Sequence, residues 1–143
     1  MPTLIVETTA PEPCPHAFAG DTSDLVYLLS FAYSTRYGSQ HELSQASLLL
    51  RGEFKIDLRP LLTFADRSVE DAADAEALER AWQDAAPLAE CCREVVAALD
   101  SGHTKLAELT RGFPSLRERI AELETMARWA AERQARIRLT YNL

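Results

Sequence analysis

From Leu116 the apolar side chains recur at Ile120, Leu123, Ala127 and Ala130. From Ile137 they alternate instead, with Ile137, Leu139 and Tyr141 set between Arg136, Arg138 and Thr140. The first spacing follows the turn of an α-helix and the second the pleat of a half-buried strand. A strand at the end of the chain needs a partner elsewhere, so the chain cannot be a plain helical bundle. The expectation is an α+β fold of four to five helices around a small sheet of about three short strands: Thr3–Thr8, Glu53–Leu58 and Ala135–Tyr141. The N- and C-terminal strands are expected to be neighbours or near neighbours.

The segments between read mainly as helices. Asp21-Thr22-Ser23-Asp24 offers N-caps for a helix carrying Leu25, Leu28, Leu29 and Ala32 and stopping near Gly38. Ser39 with Glu42 is a capping-box pattern for a second helix through Leu43–Leu50, ending at Gly52. The competing reading pairs Ser47–Leu50 with Glu53–Leu58 as a hairpin, but Arg-Gly is a weak hairpin turn and helix is preferred. Phe54, Ile56 and Leu58 alternate with Lys55, Asp57 and Arg59 up to Pro60, which makes Glu53–Leu58 a strand candidate. Ser68 with Asp71 opens a long helical stretch through Leu78, Ala81, Trp82 and Ala85. It runs on to Leu99, with Pro87 either kinking one helix or starting another. Asp100-Ser101-Gly102 closes it, Lys105–Leu109 forms a short helix, and Ser115 with Glu118 caps the last one. No internal repeat appears, and one domain over residues 1–143 accounts for the whole.

No apolar run approaches the roughly 20 residues needed to span a bilayer. Leu4-Ile5-Val6 is too short for a signal-peptide core, so no membrane association and a cytoplasmic location are expected. Three cysteines, two of them adjacent, read as free thiols. Thirteen Arg against 2 Lys, with abundant Ala, point to a GC-rich bacterial genome.

The net charge of −7 is unevenly spread: residues 66–100 hold 3 basic and 10 acidic groups, residues 101–143 hold 8 and 5. An acidic chain repels phosphate backbones, so nucleic acid is not an expected partner. The acidic stretch carries Glu70, Asp74, Glu76 and Glu79, a candidate surface for a basic protein partner. The plain alternative is a solvated helix face. Leu116, Ile120, Leu123, Ala127 and Ala130 could form a dimer seam, but two heptads are too few for an independent coiled coil, and packing within the fold is the better reading.

For chemistry, Cys14, His16, Cys91, Cys92 and His103 are candidate ligands for zinc or another transition metal, or candidate redox thiols. Against this, Cys91 and Cys92 diverge by about 100° on a helix, and metal ligands usually sit two to four residues apart. His41-Glu42 begins like a zinc-protease helix, but Gln45 stands where the second histidine would have to be. There is no glycine-rich phosphate loop and no GxSxG elbow. No catalytic residue and no cofactor are predicted. Tyr33, Tyr37 and Trp82 offer a third reading as a small-ligand site. The leading expectation is a non-enzymatic interaction or regulatory protein, self-associating as a homo-oligomer, that uses its acidic helix or an open sheet edge toward another protein.

Overall fold

The computed structural model describes residues 2–33 and 41–142, with Tyr33 described by its main chain. The elements run β1 (Thr3–Thr8), α1 (Ser23–Tyr33), α2 (Glu42–Gly52), β2 (Phe64–Asp66), α3 (Ala72–Arg80), β3 (Trp82–Asp84), α4 (Ala85–Leu99), α5 (Thr104–Thr110), α6 (Leu116–Glu132) and β4 (Arg136–Asn142). The α+β expectation holds, with six helices among the described residues and a sheet of four strands.

β4 organises the sheet. β1 lies antiparallel along one of its edges, from Thr3 opposite Asn142 to Thr8 opposite Ile137. The other edge is divided, with β2 parallel to it (Phe64 opposite Leu139) and β3 antiparallel to it (Trp82 opposite Arg138). The two-residue pleat then puts Leu4, Val6, Ile137, Leu139, Tyr141 and Phe64 on the inner face. Leu4, Ile137 and Leu139 are buried there, with Val6, Phe64 and Tyr141 packed around them. Ile5, Glu7, Arg138, Thr140 and Trp82 fall on the outer face.

The helices build the rest of the core. α6 buries Leu116, Ile120, Leu123, Ala127 and Ala130, the stripe read from the sequence, and α4 buries Leu88, Cys91, Cys92, Val95 and Ala98 in the same apolar cluster. The stripe therefore packs inside the fold. α4 ends in a turn through Gly102, whose φ of 80° favours a residue without a Cβ. α1 is tied to the sheet by Thr22, whose Oγ1 accepts from the Leu4 N–H at 2.9 Å. The stretch between β1 and α1 is held against α6: Glu122 Oε2 accepts from the Ala19 N–H at 3.0 Å, and Arg119 Nε lies 2.9 Å from Glu122 Oε1.

Several expectations are corrected. Glu53–Leu58 is not a strand. Lys55 sits at a φ of 58°, which breaks the pleat, and the Ile56 N–H donates back to the Leu50 carbonyl at 3.0 Å instead of to a ladder. The alternation there reports burial of Ile56 and Leu58 against the helical core, not sheet pairing. The central strand is β2, further along the chain. Trp82–Asp84, read as helical, is β3, because the outer edge of β4 beside Arg136–Arg138 offers it a partner. Ser47–Leu50 is helical, as preferred, and Pro87 stands in the first turn of α4, so it starts a helix and does not kink one.

The caps differ too. Ser39 and Gly38 lie outside the described residues; α2 is capped by His41, whose Nδ1 accepts from the Leu43 N–H at 3.0 Å. Ser115 makes no side-chain cap, and its own N–H donates to Asp24 Oδ2 of α1 at 3.0 Å. The acidic helix starts at Ala72, with Asp71 and not Ser68 as its N-cap. No helix among the described residues is long and apolar enough to cross a membrane.

Candidate functional site

α3 is the element that the core does not explain: none of its residues is buried. It lies over the outer face of the sheet, where Arg138 Nη1 donates to the Leu78 carbonyl at 3.2 Å. Its start is self-capped. Asp71 Oδ1 accepts from the Asp74 N–H and Asp74 Oδ2 accepts from the Glu70 N–H, each at 3.0 Å. Asp74 is therefore occupied locally, as the helix N-terminus favours. Glu76 lies 3.6 Å from Arg80 in an exposed i,i+4 pair, worth a few tenths of a kcal/mol at most. Among the described residues, the Glu70 and Glu79 side chains take no hydrogen bond or ion pair, and both are exposed. Of the four residues proposed as a partner surface, three thus keep a carboxylate facing solvent, while Asp74 serves the helix.

Beneath α3 the outer face is a polar network. Glu7 Oε1 accepts from Arg67 Nη1 at 3.0 Å, and both Glu7 oxygens accept from Arg138, Oε1 from Nε and Oε2 from Nη2, each at 3.2 Å. Arg67 also donates to Thr140 Oγ1 at 3.0 Å, and the Arg138 guanidinium sits 4.5 Å from the centre of the Trp82 ring. Partial burial by itself would raise the Glu7 carboxyl. The hydrogen bonds and charges of Arg138 and Arg67 outweigh it and hold the group below its ordinary value of 4.5. A carboxylate lowered in this way contributes stability above its unfolded value, and that contribution is lost as pH falls through the folded one. Glu7→Gln is therefore expected to lower Tm at neutral pH and to flatten its fall between about pH 5 and pH 3. Parallel Tm-against-pH curves for the two proteins would show that the arginines do not act through this carboxylate.

The cysteines and histidines fall into separate places. Cys14 and His16 line one cavity, beside β1. Cys91 and Cys92 are buried in α4. His103 caps α5, its Nδ1 accepting from the Leu106 N–H at 3.2 Å and its Nε2 lying 3.2 Å from Glu53 Oε1, so both ring nitrogens are engaged. Among the described residues no group of three or more His, Cys, Asp or Glu is placed to hold a metal ion. Burial pushes the Cys91 thiol up to about 12 and the Cys92 thiol well above its ordinary value, which disfavours the thiolate that redox chemistry needs. One thiol per chain, Cys14, is expected to react with a colorimetric disulfide reagent in the folded protein, and all three in denaturant. Rapid reaction of two or more in the folded state would contradict the burial of α4.

The Tyr33 side chain and Tyr37 lie outside the described residues, and Trp82 is on the outer sheet face with Arg138, across the sheet from the core cluster to which α1 contributes. What sequence reasoning missed is the Glu7–Arg67–Arg138 network, whose members lie up to 131 residues apart. The alternation at Arg136 and Arg138 signalled a wet face, but nothing local named Glu7 as its partner. Compared with protein-family models, curated proteins and solved structures, the chain gives no match.

Proposed function

We propose that this is a non-enzymatic interaction protein that presents Glu70, just before α3, and Glu76 and Glu79 on α3 to a basic protein partner. The observation that carries the reading is that α3 buries no residue, so its side chains are not required by the core. Its exposed carboxylates outnumber its exposed cations, since Arg80 is the single basic residue of the helix. Such a face raises the association rate and selects the sign of the partner's charge. The test compares wild type with the Glu70→Gln/Glu76→Gln/Glu79→Gln variant as bait in cell extract at low salt. The expected result is a basic protein held by wild type, weakened at least tenfold by the triple variant and released by high salt, with Tm unchanged. Equal capture of the same proteins by both baits would overturn the reading.

A further inference from the structure

We propose that the groove along the free edge of β1 binds an extended basic peptide segment, which adds a strand to the sheet. β1 is terminal in the sheet. The antiparallel ladder turns the main chain of Thr3, Ile5, Glu7 and Thr9 toward β4, the last donating to the Arg136 carbonyl at 3.0 Å. Leu4, Val6 and Thr8 consequently direct their N–H and C=O groups away from it. The Leu4 N–H is taken by Thr22, whereas the outward groups of Val6 and Thr8 have no partner among the described residues. A row of such groups is a template for another extended backbone.

Val6 and Thr8 line a cavity of about 550 Å³ together with Met126 and a wall of residues from the segment between Ala10 and His16. That wall does not close the edge: it makes no hydrogen bond to the main chain of Val6 or Thr8 among the described residues, and Pro11 and Pro13 have no N–H for the outward carbonyls. It also selects the occupant. A second copy pairing through its own β1 would bring its own proline-rich wall into the same space, while a single extended segment enters without one. The charged side chains on the groove are Glu7 and Glu12, with no Lys or Arg among its lining. Glu7 is held by two arginines, but Glu12 faces Arg133 across a surface pair at 2.7 Å, with the two side chains 52% and 37% exposed. An exposed pair of that kind is weak and exchangeable. The favoured ligand therefore alternates apolar residues, toward Val6 and Met126, with basic ones toward Glu12. This surface is separate from α3, and the inference does not depend on the reading given for that helix.

The test uses a capped hexapeptide alternating Val and Lys, a matching one alternating Val and Glu, and amide hydrogen exchange of the full chain followed by NMR. Saturation with the Val/Lys peptide is expected to slow exchange of the Val6 and Thr8 amides at least tenfold, with the Val/Glu peptide binding at least tenfold more weakly. Thr8→Pro removes an outward N–H without removing a ladder bond, a substitution that edge strands tolerate, and should abolish binding while Tm is retained. No slowing at Val6 and Thr8 in wild type under saturation would overturn the proposal even if the proline variant failed to fold. So would equal affinity for the two peptides. Protection of the same two amides in peptide-free protein that grows with protein concentration would assign the edge to a second copy and likewise overturn it.

Discussion

A chain ending at Ile137 is expected to show no cooperative unfolding transition at 25 °C. The reason is that β4 is the shared partner of the other three strands: β1, β2 and β3 each pair with it, and none of them pairs with another. Removing Arg138–Leu143 leaves β2 with no ladder at all, since its register runs from Leu139 to Tyr141. It leaves β1 with one of its six paired positions, Thr8 opposite Ile137. It also removes Leu139, which is fully buried, and the arginine that holds Glu7 and the Leu78 carbonyl. Loss of one buried leucine costs about 2 to 5 kcal/mol, and each ladder hydrogen bond about 1 kcal/mol. One buried leucine and the ladder bonds to β1, β2 and β3 lost together are comparable with the roughly 5 to 15 kcal/mol by which a native fold exceeds its unfolded chain. Near-ultraviolet circular dichroism and thermal melting decide the matter. A truncated chain that melts like the full one would show that the helices fold without the sheet.

Leu123→Ala is the point substitution with the largest expected effect. Leu123 is fully inaccessible in the middle of α6, within the cluster that joins α4, α6 and the inner face of the sheet. Its truncation leaves a cavity in a close-packed interior, which collapses only in part. The cost expected for such a site is about 3 kcal/mol, combining lost transfer energy with the cavity. For a chain of this size that corresponds to a fall in Tm of about 10 °C. The denaturant midpoint should shift without a change of slope, as for a loss of stability that leaves the surface exposed on unfolding unaltered. Val69→Ala provides the contrast. Val69 is 52% exposed just before α3, and its truncation should move the midpoint by less than about 0.5 kcal/mol. If the two variants had equal effects, Leu123 would not be at the centre of the core.

Much of the helical framework was legible because its signals are local. The spacing of Leu116, Ile120, Leu123, Ala127 and Ala130 describes one face of one helix wherever that helix lies, and all five are buried. The same holds for Leu25, Leu28, Leu29 and Ala32 in α1 and for Leu88, Cys91, Cys92 and Val95 in α4. The caps were less legible. His41 and His103 accept through Nδ1 where Ser39 had been expected to serve for one helix and no cap had been assigned for the other. Asp24, 91 residues away, takes the Ser115 N–H that Glu118 would take in a capping box. A cap needs only an acceptor in the right place, and tertiary structure can supply one from outside the local pattern.

The candidate sites show the same division. The cysteines and histidines are poorly spaced for a metal, and the fold keeps Cys14 and His16 in the groove beside β1 while Cys91 and Cys92 pack inside. The acidic helix was visible as a run of carboxylates. That none of its residues is itself buried was not visible, because Leu78 and the alanines of α3 could equally have faced a core.

By itself the sequence determined the helices, the terminal strand Thr3–Thr8 and the change from helix to strand near Gln134, because backbone periodicity and side-chain chemistry act over a few residues. Only the tertiary structure decided which extended segments became the inner strands. Phe64–Asp66 and Trp82–Asp84 are three residues each, too short to carry a pattern, and they are strands because β4 offers its free edge to them. Glu53–Leu58 has the better alternation and no such edge beside it. A helix satisfies its hydrogen bonds within itself, whereas a strand satisfies them only with a partner, and that partner is chosen by the whole fold.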